Sequence, residues 1–338
     1  NPGGGAYFDP TLSGFSDGFV TKFDNAGNMI WSTYCGGGSW DDGGSIRCDN
    51  NNNVFLIGQT LSSNFPTLNP GGSAYFDGTI GGFSDAYIMK FSSSAILQWS
   101  TYYGGNADEQ VGYFSRDNLE LDACGNLYIS LYTASNNIST LNPNCSDYYD
   151  GTSVGYDIVI AKFSKGGAML WATYWGGTPI EFRSPLSVDD NNNLFMAGEV
   201  QGTSIPVTNP GGGAFMQNAF GGTEDGFIAK FTPTPFSVTA NGIPSCGCTG
   251  IATALVSCSS TYSYSWSTSP VQTTQSISGL CAGTYTVTVT NIDCVVETAT
   301  VSIPSSSAFT ATASSTPQPC TQGGTATATA TGGTTPYT

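Results

Sequence analysis

Short segments with alternating apolar and polar positions recur along the first 235 residues of this chain. In the first, Phe19, Thr21 and Phe23 share one face of an extended strand, and Val20 and Lys22 share the other. The same pattern recurs in four segments, at residues 17–23, 85–91, 157–163 and 225–231. Their starts are 68, 72 and 68 residues apart (85−17, 157−85, 225−157). A fixed period of this size is typical of repeat architectures.

Each repeat continues with the same further parts. In the first repeat a second strand is predicted at 30–34, followed by a glycine pair and an acidic loop. A third short strand at 45–48, an Asp/Asn-rich turn and a fourth strand at 54–58 complete the repeat. Four short strands joined by tight turns and repeated at a fixed period predict one β-propeller blade per repeat.

Beyond residue 235 the composition changes, and threonine alternates with aliphatic residues, as in the segment 284–290. This pattern predicts strands of high β-propensity. The segments 236–240 and 309–313 resemble each other at a spacing of 73 residues (309−236). We therefore expect an all-β chain with three parts. These are β-propeller repeats at 1–235 that are incomplete at the N-terminus, an Ig-like β-sandwich at 236–304 with Trp266 in its core, and the start of a second, truncated unit at 305–338.

Charge and composition exclude several classes of partner. The 338 residues carry 24 acidic and 8 basic side chains, for a formal net charge of −16. Such a chain is unsuited to nucleic acid or to anionic membrane surfaces, because both are bound through clusters of Lys and Arg. No apolar run is long enough to insert into a membrane.

Candidate catalytic residues are few, because the chain contains no histidine. Triads that use histidine and histidine-based metal sites are therefore excluded. Acidic residues in the loops after the glycine pairs could in principle cleave glycosides. They recur at matching positions of successive repeats, which indicates architecture, and we expect no enzyme activity.

The ten cysteines are even in number and contain no zinc-type spacing, so they indicate disulfides and an oxidising, extracellular environment. In the first part we expect Cys35 to pair with Cys48 and Cys124 with Cys145. In the second part several connectivities are open. One of them joins Cys248 to Cys294 and Cys258 to Cys281.

An insertion at a fixed place in every repeat carries an Asn-Pro-Gly-Gly-type turn followed by aromatic residues. Insertions of this kind often carry recognition in repeat proteins. A glycan-stacking or partner-docking surface could be formed by Tyr7, Phe8, Tyr75, Phe76, Tyr148 and Tyr149. The alternative is that these rings cap the gaps between blades.

Two Asp/Asn-rich turns offer the oxygen ligands that Ca²⁺ prefers, and they contain Asp49 and Asp189. The alternative is that the same residues form tight hairpin turns, which favour Asn, Asp and Gly. Apart from this structural calcium, no cofactor is expected.

Two family resemblances follow from these motifs. The first repeat contains the motifs Asp-Gly-Phe-Val-Thr-Lys-Phe and Trp-Ser-Thr-Tyr-Cys-Gly-Gly. It and its copies resemble the bacterial SBBP repeat, which is named for a seven-bladed β-propeller. The resemblance covers residues 17–58, 85–130, 157–198 and 225–231. Segment 236–338, with Ser-Gly-Leu-Cys-Ala-Gly-Thr-Tyr, resembles the SprB-type adhesin repeat of Bacteroidota surface proteins.

These resemblances imply a secreted, non-enzymatic module of a large cell-surface or filament protein, used in adhesion or gliding and exported by Bacteroidota-type (type IX) secretion. Its partners would be other copies or domains of the same protein, glycans, or host or substratum surfaces. A carbohydrate-binding propeller that uses the repeated aromatic loops is the alternative.

Overall fold

The computed structural model shows twenty-three β-strands and no helix in the residues it describes. These residues are 3–111, 117–142, 148–178, 180–182, 184–203, 205–209, 211–217, 219–233, 235–245, 247–258, 261–292, 294–305, 310–317 and 323–331. The chain divides into two compact units, Asn1–Thr234 and Pro235–Thr338. Within the described ranges no helix is long and apolar enough to cross a membrane.

The described residues of the first unit form four antiparallel sheets, numbered I to IV along the chain. Sheet I consists of β1 (Gly18–Phe23) and β2 (Met29–Cys35). Sheet II consists of β3 (Asp41–Cys48), β4 (Val54–Thr60), β5 (Asp85–Phe91) and β6 (Leu97–Tyr103). Sheet III consists of β7 (Glu109–Gln110), β8 (Leu119–Leu121), β9 (Leu127–Thr133), β10 (Asp157–Phe163) and β11 (Met169–Trp175). Sheet IV consists of β12 (Glu181–Phe182), β13 (Leu186–Val188), β14 (Leu194–Val200) and β15 (Asp225–Phe231).

The grouping of strands into sheets differs from the prediction of one blade per sequence repeat. Sheet II joins the third and fourth strands of the first repeat to the first and second strands of the next. The loop after β2, which contains the glycine pair, crosses from one sheet to the following one. A periodic sequence looks the same wherever its unit is taken to begin, so the period alone does not reveal where each sheet starts.

The motif strands β5 and β10 lie in the interior of their sheets, and their two faces pack against different neighbours. On β5, Tyr87, Met89 and Phe91 pack in the core that sheet II shares with sheet I. Ile88 packs instead in the core shared with sheet III. The two-residue alternation along each motif therefore joins one sheet to the sheets before and after it.

The innermost strands of successive sheets also contact one another, because β8 touches both β3 and β13. The Asn118 backbone N–H donates to Ser45 Oγ at 2.9 Å, and its side-chain amide donates to Ser184 Oγ at 3.2 Å. Arg47 Nη2 on β3 lies 2.7 Å from Glu120 Oε1 on β8. In sheets III and IV the strands at one edge have two or three residues and the strands further out have seven, which resembles the arrangement of propeller blades.

The second unit contains two three-stranded antiparallel sheets and a hairpin. One sheet has the order β16 (Val238–Ile243), β17 (Gly250–Val256), β19 (Ser276–Leu280), and the other has the order β18 (Tyr262–Trp266), β20 (Gly283–Asn291), β21 (Val296–Ile303). Both sheets contribute to one core in which Trp266 is buried, as expected. The hairpin pairs β22 (Thr310–Thr316) with β23 (Thr325–Thr331). The assignment of 236–304 to the Ig-like class stays a prediction.

The predicted pairing of Cys35 with Cys48 is wrong, because both are free thiols. Cys35 ends β2, beside the loop that leads to Asp41, whereas Cys48 ends the eight-residue strand that begins at Asp41. At about 3.3 Å per residue the strand carries Cys48 roughly 20 Å away. A disulfide needs Cα atoms within about 7 Å. Cys124 is disulfide-bonded, and its predicted partner Cys145 lies outside the described residues.

In the second unit Cys248 pairs with Cys281. This corrects the connectivity that joined Cys248 to Cys294 and Cys258 to Cys281; Cys258 and Cys294 are each disulfide-bonded as well. The reason is strand register. Gly250 at the start of β17 lies opposite Leu280 at the end of β19, so the cysteines that flank these two residues are brought together.

Candidate functional site at the sheet junctions

Each junction between successive sheets brings two acidic residues together. The pairs are Asp17 with Asp41, Asp85 with Glu109, and Asp157 with Glu181. In each pair the residues before the two acids form a parallel β-bridge, Ser16 to Trp40, Ser84 to Asp108 and Tyr156 to Ile180. The following acids therefore lie side by side. At the second and third junctions both carboxyl groups approach one glycine, Gly104 or Gly176, so closely that a Cβ there would lie under 3.0 Å from each.

At the first two junctions, the second acid of the pair, Asp41 or Glu109, accepts hydrogen bonds from hydroxyl groups and a backbone N–H. Thr133 Oγ1 donates to Glu109 Oε1 at 2.7 Å, and the Gly105 N–H donates to Oε2 at 2.8 Å. Asp41 accepts from the equivalent donors, which are Thr60 Oγ1, Ser62 Oγ and the Gly37 N–H. These carboxyl groups are fully buried and well supplied with hydrogen bonds.

The third junction lacks the two hydroxyl donors. Val200 occupies the register position opposite Glu181 that Thr133 occupies opposite Glu109. Gly202 stands where Ser135 stands in the preceding repeat. No hydroxyl group among the residues that the structure describes donates to either carboxyl oxygen of the buried Glu181. A buried carboxyl group without these hydroxyl donors strongly favours its uncharged form.

The second and third acidic pairs consequently titrate near neutral pH. Burial raises the pKa of Glu109 to about 7, and it also raises the pKa of Asp85. Burial, followed by the charge of Asp157, raises the pKa of Glu181 to about 8. Two carboxyl groups this close cannot both ionise at low cost, so at neutral pH the Asp157–Glu181 pair is mostly protonated at one position and the Asp85–Glu109 pair is partly protonated. The charge of such a pair can therefore change near neutral pH, although the chain contains no histidine.

The predicted aromatic residues divide into two sets. Tyr7, Tyr75 and Tyr148 pack across the junctions against the last residue of the motif strand in the next sheet. Their ring centroids lie 5.7 Å from Phe91, 5.9 Å from Phe163 and 6.0 Å from Phe231, respectively. The backbone N–H groups of Tyr7 and Tyr75 also donate to Ala95 O and Gly167 O of those sheets. These three rings occupy the gaps between sheets.

The next aromatic residue points outward in the first three insertions. Phe8, Phe76 and Tyr149 are each 37% exposed. They lie at equivalent positions of three insertions, so they present three similar, partly open rings. This set is the one available to a ligand.

The predicted calcium residues are engaged within their own turns. Asp49 accepts hydrogen bonds from Asn51 N, Asn53 N and Asn53 Nδ2, each at 2.8 Å. Asp189 accepts the equivalent set from Asn191 and Asn193. The described part of the chain contains no group of three or more Asp, Glu or Cys residues placed to hold a metal. The turn geometry accounts for both aspartates, and a calcium site remains a prediction.

The acidic pairs were not apparent in the sequence, although one signal was present. The two acids are separated by 24 residues in all three pairs (41−17, 109−85, 181−157). That spacing identifies which acids belong together. It does not show that they meet, because the contact depends on a bridge between neighbouring sheets.

Comparison with known proteins gives a distant similarity to a repeat protein. No family model matches the chain. The chain is 23% identical over 180 residues to an uncharacterized WD repeat-containing protein of Acanthamoeba polyphaga mimivirus. The aligned region is 49% of this chain but only 12% of that protein. Together with the antiparallel sheets of the first unit, this similarity indicates a β-propeller-like repeat protein.

Proposed function

We propose that the chain is a non-enzymatic module of a large extracellular bacterial surface protein, in which the stacked sheets form a support for adhesive contacts. The main support for this proposal is that residues of the repeated motif form the contacts between successive sheets. Tyr75 and Phe163, like their equivalents in the other repeats, dock one sheet on the next. Residues that recur in every repeat thus serve assembly of the stack, as in a scaffold.

Three further observations support an extracellular surface location. The Cys248–Cys281 disulfide favours an oxidising compartment. The net charge of −16 favours solubility over binding to nucleic acid. The resemblances to SBBP and SprB-type repeats associate the two units with secreted adhesins and gliding proteins of Bacteroidota.

Adhesion can be measured directly. Beads coated with the intact chain are expected to resist detachment by flow from solid or cell surfaces. Beads coated with a globular protein of similar net charge provide the control. Equal detachment of both kinds of bead would contradict an adhesive role.

A second candidate function is carbohydrate binding by the outward rings Phe8, Phe76 and Tyr149, whose equal exposure at equivalent positions favours it. Aromatic faces of this kind stack on apolar faces of sugars. On a glycan array, the intact chain is expected to bind glycans, and the triple variant F8A/F76A/Y149A is expected to lose binding. The control variant F83A removes an exposed ring outside this set. If the intact chain binds no glycan, carbohydrate binding is contradicted and only the scaffold role remains.

A further inference from the structure

In the second unit, the outward face of the sheet formed by β18, β20 and β21 consists almost entirely of hydroxyl side chains. On β20, Val287 and Val289 are buried in the core, so Thr286 and Thr288 on the same strand point to the opposite face. Residues that lie opposite each other in antiparallel strands share a face, so the register extends this face across all three strands. The side chains on it, none of them buried, are Ser263, Ser265, Thr284, Thr286, Thr288, Thr290, Thr298, Thr300 and Ser302, with Val296 at one corner. We call this face the hydroxyl array.

The residues of the hydroxyl array form rows across the sheet. Ser265 lies opposite Thr288, and Thr288 lies opposite Thr298. In the next row Thr286 lies opposite Thr300. Along a strand the residues of one face repeat about every 6.7 Å, and neighbouring strands lie about 4.8 Å apart. The array therefore presents hydroxyl and methyl groups with a regular repeat in two directions.

The hydroxyl groups at the centre of the array are available to solvent. The side chains of Thr286, Thr288 and Thr300 form no hydrogen bond with another residue that the structure describes. Each of them therefore offers one O–H donor, two acceptor lone pairs and a methyl group to water. Because threonine is β-branched and stiff at χ1, these groups are held in place by the strands.

Charge and ring content restrict what such a face can bind. The only charged side chains between residues 235 and 338 are Asp293 and Glu297. Glu297 lies opposite Val289, in register with the other face of the sheet. The array contains neither a charged side chain for an ionic partner nor an aromatic ring on which a sugar could stack. What it offers instead is its regular repeat, which matches a ligand that is uncharged and periodic.

We propose that the hydroxyl array binds crystalline water, with its rows matched to the oxygen lattice of an ice surface. Oxygen atoms on the prism faces of ice repeat in two perpendicular directions, at distances close to those of the strand lattice. Water that is hydrogen-bonded to the threonine hydroxyl groups and ordered around the methyl groups can therefore occupy positions of the crystal lattice. Each contact is weak, but all of them form together because sheet and crystal share one repeat. This inference does not depend on the proposed adhesive role.

The first test measures partition of the chain into growing ice. A dilute solution is frozen slowly on a cooled metal surface, and the protein concentration in the ice is compared with that in the remaining liquid. The intact chain is expected to be enriched in the ice, whereas a globular protein of similar net charge is excluded from it. Thr288→Tyr places a bulky ring at the centre of the array and is expected to abolish the enrichment. Thr239→Tyr makes the same change at an exposed strand position of the other sheet and is expected to leave it unchanged.

A second variant separates loss of ice binding from loss of folding. Thr300→Lys changes an exposed residue on the outer strand β21 and places a charge on the array. It is expected to abolish enrichment in ice, while circular dichroism and the urea midpoint followed by Trp266 fluorescence stay those of the intact chain. The same measurements check that the two tyrosine variants are folded.

The freezing behaviour of the solution provides an independent measurement. The intact chain is expected to lower the freezing point of a seeded ice crystal below its melting point, and Thr288→Tyr and Thr300→Lys are expected to lose this gap. Exclusion of the intact chain from ice would overturn the proposal, as would enrichment of both array variants equal to that of the intact chain. Binding of the intact chain to microcrystalline cellulose without enrichment in ice would also overturn it, and would identify a crystalline polysaccharide as the ligand instead.

Discussion

Glu181 lies opposite Val200 in the antiparallel pairing of β12 with β14, whereas Glu109 lies opposite Thr133 in the preceding sheet. Valine and threonine have nearly the same shape, so at this position the two junctions differ by one hydroxyl group, and Gly202 in place of Ser135 removes a second one. The Thr133 hydroxyl donates to the carboxyl group of Glu109 at 2.7 Å. The repeated site therefore holds a carboxyl group with this hydroxyl donor in one repeat and without it in the next. Exchanging the threonine and the valine tests the effect of that difference.

Replacing Thr133 by valine is expected to destabilise the first unit. Glu109 Oε1 would lose its hydroxyl donor while buried, which costs about 1–3 kcal/mol. The pKa of Glu109 would also rise further. Urea unfolding at pH 7 followed by tryptophan fluorescence measures the loss. Thr21→Val on the partly exposed face of β1 serves as the control, and an equal effect of both changes would contradict a special role for Thr133.

The reverse change, Val200→Thr, is expected to stabilise the first unit. The new hydroxyl would supply Glu181 with a hydroxyl donor like that of Glu109 and lower the pKa of this carboxyl group. The gain is expected to be about 1 kcal/mol at neutral pH. It should be smaller in acid, where Glu181 is protonated in either variant. A destabilisation of the first unit at pH 8, measured in the same unfolding experiment, would show that the threonine does not reach the carboxyl group.

The raised pKa of Glu181 also predicts how stability depends on pH. The folded pKa is about 8 and the ordinary value is 4.5, so the folded state binds more protons than the unfolded state between these values. Stability from this group is therefore fully present below about pH 4.5 and is lost as the pH rises through 8. The slope is at most about 1.4 kcal/mol per pH unit for one proton.

Glu181→Gln is expected to flatten this pH dependence, because glutamine has the shape of the protonated acid and does not ionise. The measurement is the urea midpoint of the first unit at several pH values from 5 to 9. Glu224→Gln, at an exposed position, is the control and should leave the profile unchanged. A profile for Glu181→Gln as steep as that of the intact chain would contradict the assignment.

Gly104 is expected to tolerate no side chain. A Cβ there would lie under 3.0 Å from carboxyl oxygens of both Asp85 and Glu109. Forcing the pair apart is expected to cost about 1–3 kcal/mol in Gly104→Ala, as overpacking does elsewhere. Gly222→Ala, in a loop with open space around its Cα, provides the matched control in thermal unfolding. Equal melting temperatures for both variants would show that the junction can relax.

The disulfide between Cys248 and Cys281 is expected to stabilise the second unit. It joins residues 33 positions apart, and the chain-entropy model gives about 3–4 kcal/mol for a loop of that size. The double variant C248S/C281S should therefore unfold at a lower urea concentration, as measured by Trp266 fluorescence at constant pH. An unchanged midpoint would contradict the pairing.

The sequence by itself determined the local elements of this protein. Alternation along 17–23 and its copies predicted strands, and the structure has strands there, because side-chain alternation is a property of one extended segment. The burial of Trp266 agrees with the core position that was predicted for it in the unit 236–304. The all-β class and the repeat period needed no knowledge of which strands pair.

Tertiary structure alone decided which segments meet. Sheet II joins parts of two repeats, Asp85 meets Glu109 through a bridge between sheets, and Cys248 meets Cys281 through the register of β17 and β19. Each of these is a contact between distant segments, and the alternation pattern is the same for every possible partner. The Tyr75–Phe163 contact is of this kind too, since only the packed stack shows which aromatic rings are covered and which, like Phe215, remain open.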